Sequence, residues 1–149
     1  MKEMILKNQE NQPKEYSVCF LECVEELGKE TIILSSEESE SIYDELQDRF
    51  RFTQWGRIDW DNIEDKKTIS DISEIVSIIQ NKANLNSRVF VLWGYGEEPV
   101  IQTDLMNVVR NIDDVTVVGG DQWIYSSEHN YVVELFHNGE ITLGFSKQP

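Results

Sequence analysis

Two cysteines, two histidines and three prolines are spread over 149 residues, and positive charge is scarce, with 13 lysines and arginines against 28 aspartates and glutamates. Each scarcity narrows the function. Cys19 and Cys23 stand four apart, so on a helix their Cβ atoms lie about 5–6 Å from one another, beyond the roughly 3.5–4.5 Å that a disulfide needs. They read as reduced core residues. His129 falls in an expected loop and His137 beside an expected turn, and neither has the spacing of a metal site or a nucleophilic triad. The formal net charge of −15 repels phosphate backbones and anionic lipid surfaces, which disfavours direct nucleic-acid and membrane binding. No apolar run approaches the roughly 20 residues that span a bilayer, and polar residues interrupt the N-terminus where a signal peptide needs an unbroken apolar stretch. A cytoplasmic protein is expected.

Catalytic and phosphate-binding signatures are missing as well. There is no GxGxxG, P-loop, HExxH or CxxC. Gly94-Tyr95-Gly96 follows an expected strand, but it runs into Glu97-Glu98-Pro99, whose carboxylates would repel a phosphate. The chain is therefore expected to use no cofactor and no metal.

What is present suits one well-filled core. Four Trp, five Tyr and six Phe within a 40% hydrophobic composition are enough for a single domain over residues 1–149. The polar first 15 residues read as a loose arm. Acids outnumber bases by 13 to four over residues 1–48 and by nine to three over residues 83–149, while residues 49–82 hold six of each.

Apolar spacing gives the elements. Tyr16, Phe20, Val24 and Leu27 recur at helical intervals, so residues 16–27 read as a helix stopped by Gly28. Residues 31–34 resemble a short strand. Ser35 or Ser36 then caps a helix to about Phe50 with Ile42, Leu46 and Phe50 on its buried stripe. Residues 51–67 show no clean period and read as irregular and exposed. Ser70 is expected to cap a helix whose stripe is Ile72, Ile75, Val76 and Ile79. Strands are expected over 88–93, 99–101, 114–118, 122–126, 131–137 and 140–145, with a helix capped by Thr103 among them. The class that follows is α+β, with helices packed on one face of a mostly antiparallel sheet and a C-terminal β-meander.

Asn138-Gly139 between alternating strands signals a two-residue hairpin turn that pairs 136 with 141 and 134 with 143. In that register Val132, Glu134, Phe136, Ile141, Leu143 and Phe145 share a face, joined by Trp123 and Tyr125 if 126 pairs with 131. Glu134 is then a carboxylate among aromatic rings. Such a group is a general base, a binding hot spot, or an acid satisfied by Trp, Tyr or backbone donors. His137 would lie across from Glu140, on the face opposite Glu134.

The densest cluster of interface-type residues is Trp55-Gly56-Arg57-Ile58-Asp59-Trp60-Asp61 with Glu64 and Asp65. Tryptophan is enriched in binding hot spots, and carboxylates complement a basic partner. Trp55, Asp59, Trp60, Asp61, Glu64 and Asp65, with Glu97 and Glu98, are the candidate partner-binding residues. The same two rings could instead anchor the loop to the core. Acidic residues of the second helix, Glu37, Glu38, Glu40, Asp44 and Asp48, offer a competing surface.

The stretch Val89-Phe90-Val91-Leu92-Trp93-Gly94, the turn Asp113-Asp114-Val115, Asp121-Gln122-Trp123-Ile124-Tyr125, and the run from Tyr131 through His137-Asn138-Gly139-Glu140-Ile141 resemble bacterial immunity proteins of contact-dependent growth inhibition and related polymorphic toxin systems. The resemblance is best over residues 88–146. It implies a small non-enzymatic protein that binds and blocks a cognate toxin domain. An acidic chain suits a basic partner, and a nuclease is the toxin class this favours. The alternative from the residues alone is a small enzyme using Glu134 or His137.

Overall fold

The computed structural model describes residues 16–82, 87–94 and 98–147. In chain order these form α1 (Val18–Leu27), β1 (Ile32–Ile33), α2 (Ser36–Arg49), a single 3-10 turn (Trp60–Asn62), β2 (Asp65–Ile69), α3 (Glu74–Gln80), β3 (Arg88–Trp93), β4 (Ile101–Asp104), α4 (Leu105–Arg110), α5 (Ile112–Thr116), β5 (Gln122–Ser126), β6 (Tyr131–Leu135) and β7 (Ile141–Phe145). The strands make one antiparallel sheet in the order β1-β4-β3-β5-β6-β7-β2. This is the expected α+β class with a C-terminal meander. Among the described residues no helix is long and apolar enough to cross a membrane.

Strand alternation sorts the apolar residues into two cores. On one face Val89, Val91, Trp93, Ile124, Tyr131, Val133 and Leu143 meet Phe20, Cys23 and Leu27 of α1, Ile75 and Ile79 of α3, Leu105 and Val108 of α4, and Val115 of α5. Four of the five described helices therefore share that face, while α2 lies on the other, a departure from the expectation of helices on one face. The other face carries Leu92, Trp123, Tyr125 and Val132, and it is covered by Leu46 and Phe50 of α2 together with Ile58 of the segment that follows. That segment does a helix's work of closing the sheet. The start of α2 is fixed by a reciprocal capping box, in which Ser35 Oγ accepts from the Glu38 amide and Glu38 accepts from the Ser35 amide. Its far end is tied to the β5–β6 connection by Arg49, which donates to the Ser127 carbonyl and the Asn130 side chain.

Several local expectations are corrected. Residues 114–118, expected as a strand from the run Val-Thr-Val-Val, belong largely to α5. Val115 is buried there and Ile112 and Val118 pack beside it, a spacing of three that suits a helix, and Trp93 Nε1 donates to the Val115 carbonyl at 3.0 Å. Residues 51–67 are not wholly irregular, since Asp65 begins β2, an edge strand whose first four residues are exposed. Ser70 does not cap α3. Glu74 accepts from the Ser70 and Asp71 amides, and Asp71 accepts from Ser73. Thr103 lies in β4, which runs over residues 101–104 rather than 99–101, and Asp104 occupies the position before α4.

The turn between β6 and β7 is one residue longer than expected. Phe136 and Glu140 close it, Phe136 N donating to Glu140 O and Gly139 N to Phe136 O, both at 2.9 Å. Only Gly139 has a positive φ, at 95°, so the turn is a three-residue loop ending in a left-handed glycine and not a two-residue one. Glu134 consequently faces Thr142, and Leu135 faces Ile141. A one-residue slip reverses every side chain: Ile141, Leu143 and Phe145 lie on the α1 face, opposite Glu134. Pairing of β5 with β6 is as expected, with Trp123 opposite Glu134 and Tyr125 opposite Val132. Gly139→Val should lower stability by about 1–2 kcal/mol, from the cost of holding a β-branched residue at positive φ, because a Cβ there would meet nothing else within 4 Å. A melting temperature equal to wild type would refute that assignment.

Candidate functional site

Glu134 is fully buried beneath the segment that follows α2, and that segment is built around it. Its Oε1 accepts from Arg57 Nε at 3.0 Å and from Trp60 Nε1 at 2.8 Å, with Arg57 Nη2 also at 2.8 Å. Its Oε2 accepts from the Ile58 amide at 2.9 Å and from Trp123 Nε1 at 3.1 Å. Two indoles, one guanidinium and one backbone amide thus occupy the lone-pair directions a carboxylate offers. A buried acid saturated by donors is a structural tie, with no acceptor capacity left for a general base.

Arg57 extends the tie outward. Its Nη1 reaches Glu140 Oε1 at 3.1 Å, and its guanidinium lies 4.0 Å from the centre of the Phe136 ring. Burial works against its charge, but the hydrogen bonds and charges of Glu134 and Glu140 outweigh that and raise its pKa. The Trp60 indole packs over Gly144. A Cβ at position 144 would stand 2.5 Å from Trp60 Cζ3, so glycine is required for the indole to lie there. Phe52 packs on Trp123 with ring centres 5.3 Å apart, and an isolated bridge joins Phe52 to Ile58.

Above this foundation lies a groove of about 510 Å³. Trp55, Asp59, Trp60 and Asp61 line it together, with Lys66, Lys67 and Glu140 on its other walls. Trp55 is 75% exposed, the most exposed of the large apolar residues described. Asp59 accepts from the Asn62 side chain at 2.5 Å, and Lys66 Nζ donates to the Trp60 carbonyl at 2.5 Å. The remaining candidates lie apart from it. Glu64 pairs with Lys147, and Asp65 lies 3.4 Å from Lys82. Glu98 is half-buried and does not line the groove, and Glu97 is outside the described residues.

The sequence pattern puts Glu134 among aromatic rings but marks neither Arg57 nor the Ile58 amide as its partner. The partners are 74 to 77 residues away in sequence, and no local pattern marks them. The expected pairing of His137 with Glu140 is not formed. His137 donates its backbone N–H to buried Asp121 at 2.8 Å and sets Nδ1 3.0 Å from the same oxygen, while Glu140 is taken by Arg57. Among the described residues, no group of three or more His, Cys, Asp or Glu is arranged to hold a metal ion.

Comparison with known proteins gives one assignment. The family model described as CdiI immunity protein EcoliA0-like matches residues 17–144, which takes in both faces of the sheet and the whole of the groove. No curated protein matches the chain.

Proposed function

The chain belongs to the CdiI immunity protein family, EcoliA0-like, and on that premise we propose that it silences a basic nuclease toxin by binding it one to one through the groove beside Trp55. It is a binding protein and not an enzyme. The observation that carries the choice of surface is the contrast between the two indoles. Trp60 is tied down by Glu134, whereas Trp55 is three-quarters exposed on the same short loop with Asp59 and Asp61 beside it. A large ring held outward on a fixed backbone binds without a large ordering cost, which is the property of a hot spot.

In this reading Trp60 is the foundation, Trp55 the anchor, and Asp59 and Asp61 the specificity rim. Glu64, Asp65, Glu97 and Glu98 add to the negative field that steers a basic partner. The protein works in the cytoplasm without cofactor, metal, nucleic acid or membrane.

Two variants separate these roles in binding to the cognate toxin domain. Trp55→Ala should raise the dissociation rate by roughly 30-fold, a loss of about 2 kcal/mol, with an unchanged melt. The combined amides at Asp59, Asp61, Glu64 and Asp65 should slow association and flatten its salt dependence. Wild-type rates for both variants, at low and high salt, would remove the groove as the contact and direct attention to the acidic face of α2.

A further inference from the structure

A second groove, of about 540 Å³, opens on the α1 face of the sheet between the residues before α3, the start of α5 and the β6–β7 turn. We propose that it receives a lysine or arginine side chain of the cognate toxin domain, with apolar toxin residues packed beside it. The inference rests on the immunity reading above and adds a contact on the opposite face.

Ile72, Ile112, Leu135 and Ile141 give it an apolar lining. Asp71 and Asp113 bring two carboxylates, and Asp113 has no ion-pair partner among the described residues. No lysine or arginine lines the groove. Gln122, which could have donated, spends its amide N–H groups on the carbonyls of Thr116 and Gly119. His137 also lines the groove, on a side chain that is 62% exposed, with Nδ1 3.0 Å from buried Asp121. A groove with apolar side chains, two carboxylates and no lysine or arginine complements a cation on an aliphatic stem.

The partner is identified by continuity. Glu140 lines both this groove and the one beside Trp55, so the two meet at the β6–β7 turn. A toxin seated on Trp55 reaches the second groove by closing over that turn.

The test is calorimetric titration of the full chain with the toxin domain at about 0.15 M salt. Asp113→Lys should weaken binding at least tenfold and Asp113→Asn about threefold, while Glu25→Lys, an equal charge reversal on the exposed side of α1, should change it less than twofold. The asparagine variant, which keeps the size of the side chain, carries the comparison if the lysine variant melts early. Wild-type affinity in both Asp113 variants, with Trp55→Ala still weakened, overturns the second groove and leaves the first reading standing. An equal loss from Glu25→Lys assigns the effect to overall charge and also overturns it. No binding by the wild-type chain ends both.

Discussion

Glu134→Ala is expected to destabilise the protein by about 3–5 kcal/mol, because it leaves the buried Ile58 amide and two indole N–H groups without an acceptor and removes one of the two carboxylates that pair with Arg57. Arg57, the Ile58 amide and the indoles of Trp60 and Trp123 would all lose their common acceptor. For a chain of this size that corresponds to a fall in melting temperature of roughly 6–20 °C. Glu134→Gln keeps the shape but offers one acceptor oxygen and an NH2 group to a ring of donors, so it should also destabilise, though less. Thermal and urea melts of both variants measure this. If Glu134→Gln melts with the wild type, the negative charge is unnecessary and the tie described above is wrong. The same variants should lose toxin affinity beyond what their folded fraction explains, since the loop that carries Trp55 would no longer be held.

The second large effect is expected at Gly144. Gly144→Ala places a methyl group 2.5 Å from Trp60 Cζ3 and 3.4 Å from Ile63 Cγ2, and β7 cannot retreat because β6 and β2 hold it on both sides. The indole must therefore lift, which costs about 1–3 kcal/mol of overpacking and weakens a charge-assisted hydrogen bond worth about 1.5–3 kcal/mol. A cycle with Trp60→Ala tests this more sharply than the single variant. Once the ring is gone the methyl group has room, so the double variant should be less destabilised than the two singles added, by at least about 1 kcal/mol. Additivity within about 0.5 kcal/mol would show that the alanine acts elsewhere.

How much of this was legible in the sequence depended on whether the cause was local. Asn138-Gly139 signals a hairpin, but a left-handed glycine serves a two-residue turn and a three-residue one alike, so the pair leaves the register one residue uncertain. Trp123 opposite Glu134 escapes that ambiguity because it depends on the β5–β6 connection and not on the β6–β7 turn. Residues 65–69, Asp-Lys-Lys-Thr-Ile, have no apolar alternation because β2 is an edge strand with one neighbour, and nothing in it asks to be buried before Ile69. At 114–118 the β-branched run favours a strand locally, and packing of Val115 against α1 overrides it. By composition the Trp55–Asp65 cluster reads as binding-type. Its division into a tied indole and an exposed one required the position of a carboxylate from another part of the chain.

That long separation also sets an order of events. The donors at 57, 58 and 60 leave the ribosome well before Glu134, and closing a loop of 74 to 77 residues is costly in entropy until the C-terminal meander exists to reward it. The helix α2 and its capping box can form early from nearby contacts, but the lip beside Trp55 cannot take its shape until β6 is paired. If that groove is the toxin contact, competence to bind is acquired at the end of folding, and a chain ending before residue 134 carries every rim residue of that groove's loop without the acid that arranges them.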